Sequence, residues 1–121
     1  MHQEFPAGHG AGRIQRHELL GELPVAGQVT VFLDGAPIRG RAGEPLLATL
    51  LAAGVRVMRT MPELGDPRGG YCLVGRCADC QMVVDGVPGS RACVTTVREG
   101  MQVQTQHGLG EENWESLEEA L

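Results

Sequence analysis

Cys72, Cys77, Cys80 and Cys93 are the residues of this 121-residue chain whose type and spacing point most directly to chemistry. The run Cys72-Leu73-Val74-Gly75-Arg76-Cys77-Ala78-Asp79-Cys80 reads C-x4-C-x2-C, and Cys93 follows after twelve intervening residues. Three thiolates on one loop and a fourth returning beside it can surround a compact inorganic core. This spacing, with a more distant fourth cysteine, is one that holds a [2Fe–2S] cluster. Spacing alone leaves other uses open. A structural zinc site usually joins two matched C-x2–4-C knuckles, whereas here one C-x2-C stands with a longer step and an isolated fourth cysteine. A Rieske centre needs two histidines, and downstream His107 is unpaired. Two disulfides suit an exported chain better. A redox-active C-x-x-C at Cys77 and Cys80 leaves Cys72 and Cys93 unexplained.

Glycines accompany the cysteines. Gly69, Gly70 and Gly75 let a loop bend tightly and bring backbone N–H groups near sulfur. Gly70 and Gly75, with Arg76, are therefore the candidate cluster-binding positions beside the four candidate ligands. Reduction adds negative charge to an already anionic core, so nearby cations favour the reduced form. Arg68, Arg76 and Arg91 flank the cysteines in sequence, and Arg76 is expected to raise the reduction potential.

The elements that must position this loop can be read outward from it. Val29-Thr30-Val31-Phe32-Leu33 is β-rich, and Asp34-Gly35 is a two-residue hairpin signal; residues 37–41 form the return strand. Gly43-Glu44-Pro45 opens a helix, with Pro45 near its first position and Gly54 past its end. Leu46, Leu47, Leu50 and Leu51 give that helix one apolar stripe to lay on the sheet. Residues 55–61 read as a short strand or extended connector, and 62–80 as a long functional loop. Gln81-Met82-Val83-Val84 reads as a strand that turns at residues 85–89 and returns over 90–96, carrying Cys93. A last strand covers 101–105. Residues 1–27 read as an N-terminal extension, with one helical turn from Arg16 to Leu20. His2, His9 and His17 are assigned no chemical role. Residues 28–106 form the domain, and 107–121 an acidic C-terminal tail. There Trp114, Leu117 and Leu121 lie at helical spacing.

Composition narrows the function classes. Apolar residues make up 42% of the chain and aromatics only 3%, so the core must be built from Val, Leu, Ala and Met. The net charge of −5 argues against nucleic acid as a partner, since no basic patch gathers phosphates. Glu111, Glu112, Glu115, Glu118 and Glu119 concentrate that charge in the last eleven residues. No apolar run approaches the roughly 18 residues of a membrane span, and the N-terminus lacks a secretory layout. The expectation is a cytoplasmic chain without direct membrane insertion, peripheral to a membrane only through its complex. No nucleophile–base set, H-E-x-x-H or phosphate loop is present, so the chain is not expected to catalyse a reaction alone.

The order of hairpin, covering helix, cysteine loop, second hairpin and last strand resembles the β-grasp [2Fe–2S] ferredoxin domain, over residues 28–106. The step from Cys80 to Cys93 is shorter than in photosynthetic-type ferredoxins. It is closer to the iron–sulfur domains of succinate dehydrogenases and molybdenum hydroxylases. More narrowly, four segments resemble the small ferredoxin-like subunit of heteromeric flavin-dependent amine and amino-acid dehydrogenases. They are Asp66-Pro67-Arg68-Gly69-Gly70-Tyr71-Cys72, Val83-Val84-Asp85-Gly86, Arg91-Ala92-Cys93-Val94 and Val97-Arg98-Glu99-Gly100-Met101. That group includes small subunits of hydrogen cyanide synthase, D-hydroxyproline dehydrogenase and opine oxidases. Ala78 departs from the glycine that many such ferredoxins carry after the second ligand, which implies a slightly different loop. The resemblance implies an α+β fold, a [2Fe–2S] cluster on Cys72, Cys77, Cys80 and Cys93, and FAD on a partner dehydrogenase subunit, not on this chain. A free-standing soluble ferredoxin and a zinc-stabilised interaction module are the rival readings. The N-terminal extension and Trp-bearing tail favour a dedicated docking subunit.

Overall fold

The computed structural model describes residues 12–108; the acidic tail from Glu111 and the histidines His2 and His9 lie outside them. Near the start, β1 (Arg16–His17) and β2 (Gly21–Glu22) pair antiparallel. This corrects the helical turn expected here. The His17 Nδ1 accepts the N–H groups of Leu19 and Leu20 at 3.1 and 3.2 Å, which closes a turn that a short helix would have to nucleate at greater cost.

The domain is built on a five-stranded mixed sheet. β3 (Gln28–Leu33) and β4 (Ala36–Arg41) form the first hairpin, in register from Gln28 opposite Arg41 to Leu33 opposite Ala36. Their turn places Asp34 at φ 49° and Gly35 at φ 87°, the left-handed pair that matches the twist of a two-residue hairpin. Alternation along β3 and β4 buries Val31, Leu33 and Ile38 on one face. Across that face lies α1 (Leu46–Ala52), burying Leu46, Leu47 and Leu50. Pro45 occupies its N-cap, and no side chain caps it. The Thr95 carbonyl instead accepts the Leu46 N–H at 2.6 Å, which ties the helix start to the segment after Cys93.

Beyond α1, β5 (Arg59–Thr60) pairs antiparallel with β6 (Pro67–Arg68). Next come β7 (Gln81–Val84) and β8 (Val87–Arg91), then a 3-10 turn at Ala92–Val94, then β9 (Gln102–Gln104) and β10 (Gln106–His107). The main sheet runs β4-β3-β9-β7-β8, with β9 parallel to β3 and antiparallel to β7. The smaller sheet runs β10-β5-β6. Both edge strands of the main sheet carry a proline, Pro37 and Pro88, where a missing N–H costs no ladder bond. A second correction concerns Cys93. The return strand starts at Val87 and stops at Arg91, so Cys93 sits in the 3-10 turn and not on a strand. The tight Asp85-Gly86 turn, with φ 48° and 83°, starts that strand early.

One mixed sheet, a covering helix and a cysteine loop make the α+β, β-grasp arrangement the sequence implies. The core is aliphatic and sulfur-rich, with Met58, Met82 and Met101 buried among Val, Leu and Ile, as the scarcity of aromatics requires. Among the described residues no helix is long and apolar enough to cross a membrane.

Part of the N-terminal extension is fastened to the domain. Glu44 takes Arg13 in a two-pronged ion pair at 2.6 and 2.8 Å, the Arg41 N–H at 2.8 Å and the Thr49 hydroxyl at 2.6 Å. Burial pushes the Glu44 carboxyl up, but the bonds from Arg13, Thr49 and Arg41 outweigh it and hold it below its ordinary value of 4.5. A depressed carboxylate stabilises the fold above that ordinary value and stops doing so as the pH falls through the folded one. Glu44→Gln is therefore expected to cost about 2 kcal/mol at pH 7. In urea unfolding at successive pH values, the gap between wild type and variant should narrow below pH 4.5 and close only as the pH falls through the lowered Glu44 value.

Candidate functional site

The cysteine loop leaves β6 and returns to β7, and its entry is glycine because nothing larger fits. A Cβ on Gly69 would fall 2.1 Å from the Arg56 carbonyl oxygen. On Gly70 it would press Leu73 and Leu47 at 2.8 and 3.1 Å. Leu73 then takes a left-handed φ of 65° and Gly75 one of 81°. For leucine that conformation is strained. The bend gathers three backbone donors about one sulfur: the N–H groups of Val74, Arg76 and Cys77 lie 3.5, 3.2 and 3.2 Å from Cys72 Sγ.

These donors set the chemistry of Cys72. The Val74 N–H foremost, with those of Arg76 and Cys77 and the Cys77 thiol, outweighs partial burial and brings the Cys72 thiol down to about 6. Cys72 is thus a thiolate at neutral pH, the form that ligates metal. Cys80 is the opposite case. Burial drives its thiol up, against N–H bonds from Cys93 and Ala92, and its contact with the Cys93 side chain raises it further. The two outer cysteines, Cys72 and Cys77, are half-buried, while Cys80 and Cys93 are buried in the core.

The four thiols fall into two pairs. Cys77 lies against Cys72, whose sulfur accepts its N–H at 3.2 Å, and Cys93 lies against Cys80. Among the described residues no three His, Cys, Asp or Glu side chains converge on one metal-sized site. Cys93 reaches Cys80 because the Ala92 N–H donates to the Cys80 carbonyl at 3.1 Å while Thr95 and Thr96 are held on the start of α1.

The three arginines flanking the loop sit differently from one another. Arg76 is exposed and reaches Cys72 through its backbone N–H. Arg91 donates to the Gly75 carbonyl at 2.8 Å, bracing the turn from the far side. Arg68 bonds to the carbonyl of its neighbour Pro67. A fourth arginine belongs to the site. Arg59, twelve or more residues from any cysteine, is only 4% exposed and lies against Ala78 and Asp79. Its signal was weak: one arginine beside two methionines in a segment read as a connector.

Around the outer pair the surface is apolar. Tyr71, Leu73, Val74 and Val94 are exposed at 80, 52, 65 and 62%. A shallow cavity of about 150 Å³, lined by Pro45, Leu47, Ala48, Leu51, Leu73 and Cys93, opens beside them.

Known proteins share this arrangement. The family model of the 2Fe-2S iron-sulfur cluster binding domain matches residues 26–108. The chain is similar to hydrogen cyanide synthase subunit HcnA of Pseudomonas aeruginosa, 40% identical over 78 residues, which are 64% of this chain and 74% of that subunit. It is also similar to HcnA of Pseudomonas protegens, 39% identical over 77 residues, covering 64% of this chain and 72% of the relative. Among solved structures, L-proline dehydrogenase from P. horikoshii superposes with a TM-score of 0.60 at 27% identity. That match spans 69% of this chain and 16% of the dehydrogenase chain.

Proposed function

The chain belongs to the 2Fe-2S iron-sulfur cluster binding domain family, and we propose that Cys72, Cys77, Cys80 and Cys93 hold its cluster within an electron-transfer subunit of a hetero-oligomeric dehydrogenase. The observation that carries the ligand assignment is the pairing of the thiols. One zinc ion draws four thiolates into a single tetrahedron. A diiron core takes two at each iron, and Cys72 with Cys77 and Cys80 with Cys93 stand in two pairs. When bound, the cluster supplies a one-electron couple. The chain's own groups suit it to that couple. Val74, Arg76 and Cys77 present N–H groups to the Cys72 sulfur, which favours the more negative, reduced state. Buried Cys80 and Cys93 sit on the core side, away from water.

The partner we propose is an FAD-containing dehydrogenase of an amine or amino acid, of the proline, hydroxyproline, glycine or opine kind. Two likenesses support it: a subunit of hydrogen cyanide synthase and a domain-sized part of an L-proline dehydrogenase. The surface supports it too. Tyr71, Leu73, Val74 and Val94, each next to or between candidate ligands in sequence, are exposed, and exposed apolar side chains grouped in this way mark a protein contact. In this reading the amine is oxidised on the partner and electrons are passed on here.

Affinity purification of the tagged chain from its own host under anaerobic conditions tests this reading. The expected result is one complex on size exclusion that carries both flavin fluorescence and the brown colour of the chain. A brown chain that elutes alone and takes electrons from unrelated reductases would establish the free-standing ferredoxin instead.

A further inference from the structure

Arg59 is a charged side chain placed where charge is costly. It is 4% exposed in β5, and its guanidinium serves the cysteine loop. Nε donates to the Ala78 carbonyl at 3.0 Å, Nη2 faces Asp79 Oδ1 at 3.5 Å and Nη1 lies 3.0 Å from Met61 Sδ. Ala78 and Asp79 are the two residues between Cys77 and Cys80. The guanidinium therefore holds the segment that joins one thiol pair to the other.

The local ion pair does not account for the burial. At 3.5 Å the contact with Asp79 is long for a charge-assisted bond, and the Asp79 side chain is one-third exposed while that of Arg59 is 5% exposed. Water screens the carboxylate more than the guanidinium. A positive field survives under the Cys77–Cys80 segment, and an anionic centre on the flanking thiolates is what such a field stabilises. Resting on the ligand assignment above, we propose that Arg59 is a positioning residue that fixes the Cys77–Cys80 segment and raises the reduction potential of the [2Fe–2S] cluster through its buried positive charge.

The size of the effect follows from distance. Ala78 is adjacent to Cys77, and consecutive Cα atoms are about 3.8 Å apart. A unit charge within roughly 12 Å alters a one-electron equilibrium by at least about tenfold at an effective dielectric of about 20. Redox titration of the purified, cluster-loaded chain, followed by visible absorption and electron paramagnetic resonance, reads that change directly. Arg59→Gln keeps an amide to donate to the Ala78 carbonyl and removes the charge. It should lower the reduction equilibrium at least about tenfold, a shift of ~59 mV to more negative potential for a one-electron couple. Arg59→Lys keeps the charge and should stay close to wild type. Asp79→Asn removes the opposing carboxylate and should move the potential the other way.

An unchanged potential in Arg59→Gln, or an equal fall in Arg59→Lys and Arg59→Gln, overturns the proposal. Should Arg59→Gln fail to retain its cluster, Arg59→Met, which keeps the apolar stem and removes the charge, is titrated in its place. A fall of the same size supports the charge assignment, and an unchanged potential overturns it. Wild-type protein without iron would strike the ligand assignment itself, an outcome distinct from all of these.

Discussion

Cys93→Ala is expected to yield a folded but colourless chain. Cys93 is the one candidate ligand outside the cysteine loop, carried by the 3-10 turn at Ala92–Val94, and it completes the buried pair with Cys80. Losing a group that merely orients a metal ligand costs roughly 10–100-fold in affinity, so losing the ligand itself should remove essentially all bound iron. The substitution is small and the site lies beside an apolar core, so the cluster-free fold should lose only about 1 kcal/mol from packing. Because cluster binding is linked to folding, thermal unfolding of the variant should fall only a few degrees below that of cluster-depleted wild type and well below that of the loaded protein. Val94→Ala, one residue on and exposed, should keep both colour and iron. Visible absorption and iron content of the two proteins, prepared side by side, check both statements.

Gly69→Ala is expected to be the most damaging exchange that leaves all four cysteines in place. The added methyl would lie 2.1 Å from the Arg56 carbonyl oxygen and 3.3 Å from its carbon, both backbone atoms. Neither side yields easily. Arg68 is paired to Arg59 across β5 and β6, and its carbonyl accepts the Met58 N–H at 2.8 Å. Overpacking against backbone of this kind costs about 3 kcal/mol, and the displaced loop would also misplace the Cys72 donors. Gly86→Ala is the contrast. Gly86 has φ 83° but nothing within 4 Å of a new Cβ, so it should lose only the left-handed penalty of about 1–2 kcal/mol. Urea unfolding of the cluster-loaded proteins ranks the two, with Gly69→Ala also losing colour earlier in the titration.

Much of this arrangement was legible in the residues. Asp34-Gly35 marked the first hairpin because its left-handed pair suits few other residues, and the Leu46, Leu47, Leu50 stripe marked the helix by period. The C-x4-C-x2-C run with its distant fourth cysteine points to a [2Fe–2S] cluster, the class that the family match shares. The parts that stayed hidden depend on distant contacts. Strands β5, β6 and β10 are two residues each, too short to show alternation, and their pairing exists only once Pro67 folds back beside Thr60 and Gln106 arrives from the far end of the domain. Residues 16–20 read as a helical turn in sequence, and the bonds that decide for a strand pair come from the His17 ring. Cys93 was placed on a strand because nothing in Arg91-Ala92-Cys93-Val94 announces a 3-10 turn; the Ala92 N–H bond to Cys80 makes it. Arg59 is silent in the sequence for the same reason. Its neighbours in space are Ala78 and Asp79, nineteen and twenty residues away.

The central claim is that two thiol pairs enclose a diiron, disulfide-free inorganic core. Its most direct test is the count of iron and acid-labile sulfide per chain in anaerobically prepared wild-type protein. Two of each per polypeptide is the predicted result, lost together in Cys93→Ala. One zinc per chain with no labile sulfide would contradict the account.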